Sequence, residues 1–144
     1  MWKIDPHKDG IDHINVYSQG QTELGRWLSN FTFEPIITED GAFDSIEGYW
    51  GWLSNPDERY GKLSGYPAKK LAKELPRIRT FTMDQFKKKI ELAIIAKAIA
   101  RPDMITKLKE SKLSLKHYYV FDGKVKNAGY QWILDTWEGL RVEK

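Results

Sequence analysis

Apolar residues recur at helical spacing through most of the chain and at strand spacing in a few short pieces. The longest helical run opens at Thr82 or the residue after it and continues to about Ala100, where Arg101-Pro102 ends it. Phe86, Ile90, Ala93, Ile94 and Ala98 form its apolar stripe, widened by Ile95 and Ile99, which predicts a central core helix. Ser45 is suited to cap a second helix, with Ile46, Tyr49, Trp50 and Leu53 on its inward face and a stop near Asn55-Pro56. Shorter helices are predicted over 68–75, between Pro67 and Pro76, and from an Asp103 cap to about Lys112. A last one spans 128–141, with Ile133, Leu134, Trp137 and Leu140 inward.

Alternation predicts a strand over 13–18, with Ile14 and Val16 on one face, followed by a turn at 19–22. Residues 23–31 read as loop or a short helical turn. A second strand over 33–38 turns at Glu39-Asp40-Gly41 and returns through 42–44. Asp122-Gly123 signals another hairpin within 117–125. Residues 57–66 are loop and 1–12 a weakly ordered lead-in. With no internal repeat and no linker, the expectation is a single domain over 1–144: helix-rich α+β with a small antiparallel sheet.

The Ser45 helix contains an anomaly. It carries Gly48 and Gly51, each costing about 1 kcal/mol relative to alanine inside a helix. Gly51 at i+4, with Trp50 at i+3, is a surface neighbour of Glu47, which lies in the first turn, where the helix dipole favours an ionised carboxylate. Missing side chains there leave room for another backbone or for a ligand. An ionised carboxylate in an aromatic-walled recess suits a base, a nucleophile or a stabiliser of positive charge on a sugar ring. Acidic residues also occupy first turns simply because they suit the dipole.

Composition narrows the chemistry. The 144 residues contain no cysteine, which removes disulfides, thiolate metal sites and a cysteine nucleophile. His7, His13 and His117 lack metalloprotease spacing, so no metal site is expected. P-loop, dinucleotide-fold and serine-triad signatures are absent as well. No run approaches the roughly 18 apolar residues of a membrane span, and the amino terminus lacks a secretory pattern, so a cytoplasmic protein without a membrane partner is expected. A formal charge of +3 suits an anionic ligand or transient contact with nucleic acid. Aromatic residues make up 13% of the chain, several beside glycine, as in Trp50-Gly51-Trp52 and Gly129-Tyr130-Gln131-Trp132. Such rings can stack bases or sugars.

Tyr17, Leu28-Ser29-Asn30-Phe31, Asp40-Gly41, Ser45-Ile46-Glu47-Gly48-Tyr49-Trp50 and Ala68-Lys69-Lys70-Leu71 occur in that order. Together they resemble the NADAR (YbiA-like) family, as do the long helix with Lys97 near its end and the closing helix from Gly129 to Arg141. The resemblance spans roughly residues 14–141 and implies a YbiA-like fold. It also implies metal-independent hydrolysis, without a cofactor, of an N-glycosidic bond in an ADP-ribose-type compound. ADP-ribosyl-guanine in nucleic acid is one such substrate, and riboflavin-pathway ribosylamines are another. Phages carry members too, so sequestration of an NAD-derived nucleotide is the non-catalytic alternative.

By the same resemblance Glu47 is the catalytic carboxylate, while Ser29 and Asn30 lie beside the ligand. Arg26, Lys69 and Lys70 are candidates to hold a diphosphate, and Tyr49 or Trp50 to stack a base. The family's Trp before the long helix is replaced here by Phe81 or Phe86. Its Asp-x-x-Trp-Gly segment is replaced by His117-Tyr118-Tyr119 or Asp122-Gly123. The second acid is thereby left open between Asp122 and Glu138. Oligomeric state is not readable from these residues.

Overall fold

The computed structural model describes residues 3–78 and 81–142. In chain order these form β1 (His13–Asn15), α1 (Glu23–Leu28), β2 (Ile36–Thr38), β3 (Gly41–Phe43), α2 (Ile46–Ser54), α3 (Gly65–Glu74), α4 (Met83–Ala100), α5 (Pro102–Glu110), β4 (Ser114–Lys116), β5 (Tyr118–Phe121), β6 (Lys124–Asn127) and α6 (Gln131–Val142). Tight 3-10 turns occur at Pro6–Lys8 and Glu58–Lys62. The chain divides into two compact units, Asn30–Pro102 and the segments on either side of it. Helix dominates, and the strands occur only in pairs among the described residues.

In the discontinuous unit, β1 lies parallel to β4, with Ile14 opposite Leu115. A small antiparallel sheet was expected; two of the three pairs are antiparallel hairpins, and this one is not. All of β1 is buried, polar residues included. His13 tolerates this because its Nε2 lies 2.6 Å from the Tyr118 hydroxyl. Asn15 exchanges two 3.1 Å bonds with the backbone of Tyr118, as a strand would. Within the lead-in, Asp9 accepts from the amides of Asn15 and Gln21 at 2.9 and 2.8 Å. Met1 and Trp2 lie outside the described residues. The stretch read as loop or helical turn is α1, capped by Thr22, whose Oγ1 accepts from Gly25 N. Trp27 and Trp137 meet at 5.3 Å between ring centroids. Asp122 and Gly123, with φ of 53° and 71°, both turn left-handed, as a two-residue hairpin demands.

In the Asn30–Pro102 unit, β2 and β3 pair through the expected turn, Thr38 opposite Gly41. Thr82 and Gln85 close a capping box at the start of α4. The expected widening of the α4 stripe by Ile95 and Ile99 is not found: both are exposed. Helical geometry instead carries the stripe from Ile90, Ala93 and Ile94 to Lys97 and Ala98, at i+7 and i+8. Trp50 is half-buried and edge-on to Phe86, at 4.7 Å.

The two glycines of α2 are explained by packing. A Cβ at Gly48 would lie 2.5 Å from the Tyr60 carbonyl oxygen and 2.9 Å from that of Leu63. At Gly51 it would overlap the Tyr60 ring. Of the two occupants the sequence allowed for this room, a neighbouring chain segment is the one that fills it. Gly51→Ala is therefore expected to lower the unfolding free energy by about 1–3 kcal/mol through overpacking, despite alanine's helix propensity. Gly139→Ala, in α6 with nothing within 4 Å of the added atom, is expected to be neutral or stabilising. Urea denaturation of both variants checks the contrast, and equal effects would remove the packing explanation.

Candidate functional site

The start of α2 is held from two directions. Ser45 Oγ accepts from Gly48 N and donates to the Leu63 carbonyl, both at 2.9 Å. Glu47 N donates to the Asn30 carbonyl, and Gly65 N, at the start of α3, donates to the Phe31 carbonyl, again at 2.9 Å each. Residues 30 and 31 thus accept amides that the first turns of two helices leave without intrahelical partners. This stitching brings Asn30, Glu47 and Lys69 together. Lys69 Nζ stands 5.7 Å from the Phe31 ring centroid, and its charge is felt at Glu47.

Two polar groups at this point lack partners. The Glu47 carboxyl is half-buried and receives no hydrogen bond from any described residue. Burial lifts it to about 7, against a smaller opposing pull from Lys69. The expectation from the helix dipole, a plainly ionised carboxylate, is therefore corrected: near neutrality the group exchanges its proton. Asn30 Oδ1 is buried with no donor. An unmet buried acceptor costs about 1–3 kcal/mol, and a ligand or water donor at this place would remove that cost.

The remaining candidates are placed as follows. Tyr49 is 1% exposed, packs on Phe43 at 4.8 Å and donates to Asp40 Oδ2 at 2.6 Å. Burial and that bond push its phenol well above its ordinary range, and no ring face is left for a base. Trp50 keeps partial exposure. Lys70 is exposed on α3, about 100° around the helix from Lys69. Arg26, Ser29 and Asp122 belong to the other unit. There Arg26 donates to the Gly20 carbonyl at 2.9 Å, Ser29 is a buried C-cap of α1, and Asp122 is the first left-handed residue of the β5–β6 turn. Glu138 pairs with Arg141 at 3.0 Å. Of the aromatic-glycine run near the carboxyl end, Tyr130 is exposed and Trp132 half-buried.

Two further titratable residues of this unit, Tyr60 and Lys97, were not predicted as site residues. Tyr60 fills the space over Gly51, and its phenol is raised first by burial and further by Asp57 and Glu47. Lys97 is 1% exposed, and burial lowers it to about 7, while Glu34 partly restores the charged form. Its place in the family resemblance and its position in the α4 stripe were the available signals. Among the described residues no group of three or more histidine, aspartate or glutamate side chains is placed to hold a metal ion. An open cavity of about 590 Å³ is lined by Lys3, Ile4, Asp5, Asp12 and Val125, none of them a candidate. No described helix is long and apolar enough to cross a membrane.

No protein-family model matches the sequence, and no curated protein sequence matches it. The fold does have a counterpart. The NMR structure of the E. coli protein YbiA matches with a TM-score of 0.64, covering 96% of this chain and 91% of that one, at 18% sequence identity. Identity at that level speaks for the fold alone, and the conclusion is stated at that level: the chain has the helix-rich α+β fold of YbiA.

Proposed function

We propose that the chain is an N-glycosyl hydrolase of the NADAR (YbiA-like) family, cleaving the ribosyl N-glycosidic bond of an ADP-ribose-type compound. ADP-ribosyl-guanine in nucleic acid is the foremost substrate. The observation that carries this reading is the Glu47 carboxyl: half-buried, unbonded, titrating near 7 and beside Lys69 and the unmet Asn30 acceptor. The YbiA fold and the Ser45-x-Glu47-x-Tyr49 pattern at a helix start support it. The absence of cysteine fits a reducing compartment, and the cytoplasm is its proposed location.

As the C1′–N bond breaks, its electron pair leaves with the nitrogen, which takes a proton from solvent. Positive charge gathers at C1′ and is stabilised by the ionised form of Glu47. Water adds to C1′, and its proton passes to Glu47. The products are the base and a ribose hydroxyl, and Glu47 then releases the proton to solvent. A general base works best with a pKa near the operating pH, which burial supplies. Lys69 holds a phosphate of the substrate, and Asn30 Oδ1 accepts from a sugar hydroxyl.

Glu47→Gln is expected to lower kcat/KM by about 10²–10⁴ on ADP-ribosylated DNA. Chromatography of free ADP-ribose measures it, and an unchanged product yield ends the assignment. ADP-ribosylated protein and a riboflavin-precursor ribosylamine, run beside it, identify the leaving group. ADP-ribose bound in calorimetry, with all three substrates recovered intact, would make the chain a sequestering protein instead.

In the native enzyme kcat/KM is expected to rise with pH and level off above about 7, as the base ionises. A flat profile from pH 5 to 9 (roughly the window in which such a base titrates) would remove Glu47 from that role.

Stability gives an independent sign. A carboxyl raised in the folded state contributes stability that is complete below its unfolded value of 4.5 and lost as pH rises through about 7. Glu47→Gln is therefore expected to raise stability at pH 8, by on the order of 3 kcal/mol at most, at about 1.4 kcal/mol per pK unit. The gain vanishes below about pH 4.5. Thermal denaturation at several pH values reads it; a lowered Tm at pH 8 would make Glu47 a structural anchor.

A further inference from the structure

The β5–β6 hairpin is largely exposed, and its register separates the side chains onto two faces. Its register sets Tyr119 opposite Lys126 and Phe121 opposite Lys124, and opposed residues project from the same face. Tyr118, Val120, Val125 and Asn127 take the other face, where Tyr118 is buried, Val125 half-buried, and Val120 and Asn127 exposed. On the outer face Tyr119 is 41% exposed and Phe121 67%, and both lysines are exposed. Among the described residues neither lysine has an ion-pair partner, and neither ring has an aromatic or cationic one.

The hairpin lies in one of several basic stretches of the chain, as residues 62–73 also carry four lysines and no acidic residue. Residues 112–126 hold Lys112, Lys116, Lys124 and Lys126 against Asp122 alone, a formal excess of +3. Two rings two residues apart on a strand stand about 7 Å from each other. Splayed bases of a single strand can reach them, whereas duplex bases are locked within the stack. A second copy of the hairpin laid against this face would bring lysines onto lysines, which like-charge repulsion opposes.

We propose that the outer face of the β5–β6 hairpin docks single-stranded nucleic acid, with phosphates on Lys124 and Lys126 and bases against Tyr119 and Phe121. The surface stands on these observations and not on the glycosidic reading.

Fluorescence anisotropy of a labelled oligothymidylate of about 12 nucleotides, titrated with the full chain, tests it. The native protein binds at about 50 mM salt and loses affinity as salt rises. Lys124→Gln with Lys126→Gln weakens binding about tenfold and lowers the slope of log K against log salt by about 1.4, at about 0.7 per phosphate. Tyr119→Ser with Phe121→Ser weakens binding severalfold and leaves the slope unchanged. No binding by the native chain at about 100 μM (the weak edge of ordinary non-specific binding) overturns the proposal. So does equal binding by the native chain and both double variants, or tighter binding of the matching duplex.

Discussion

The Asn30–Pro102 unit rests on a close approach that two missing side chains permit. Residues 60–63 run against α2 so tightly that a Cβ at position 48 or 51 would strike the Tyr60 or Leu63 carbonyl or the Tyr60 ring. The helical cost of two glycines, about 1 kcal/mol each, is offset by what the contact positions. Ser45 reaches the Leu63 carbonyl, the chain beyond enters α3 at Gly65, and both helix starts bind residues 30 and 31. Glu47 lies half-buried in the first turn of the helix so held.

Several other buried or half-buried polar groups are satisfied within the chain, although Arg141 Nη2, like Asn30 Oδ1, has no hydrogen-bond partner. Asp9, His13 and Asn15 have near neighbours at hydrogen-bonding distance. Burial alone would raise Asp40, but bonds from Tyr49 and Lys89 outweigh it and hold the carboxyl below its usual range. Lys97 has the charge of Glu34 acting on it. Against that habit, an unbonded carboxyl and an unmet amide oxygen joined through one backbone bond are conspicuous. Groups left unsatisfied in the free protein gain most when a ligand arrives.

Local signals carried much of the fold. Caps at Ser45 and Thr82, the Glu39-Asp40 and Asp122-Gly123 turns, and the stripe from Phe86 to Ala98 depend on near neighbours in sequence, and each reads directly. The parallel β1–β4 pair does not, since it joins residues about a hundred positions apart that share no turn. Ile95 and Ile99 are hydrophobic but lie off the helical period, which runs from Ile90 to Lys97 and Ala98. In the candidate site, Glu47 and its glycines were visible, but the occupant of the space was not. Tyr60 lies in a stretch read as loop, and no pattern links it to position 51. Tyr49 matched a motif, yet its ring serves the core.

The ionisation of Glu47 turns on magnitudes. A helix start favours an exposed carboxylate by about 0.3–1 kcal/mol, less than one pK unit. A rise from 4.5 to about 7 is more than two units, each worth about 1.4 kcal/mol. Desolvation therefore exceeds the dipole severalfold, even with Lys69 opposing it. A first-turn glutamate in water follows the dipole; one withdrawn from water follows its hydration. Position along the helix is legible from the sequence, whereas the burial that decides protonation depends on tertiary packing that no local pattern encodes.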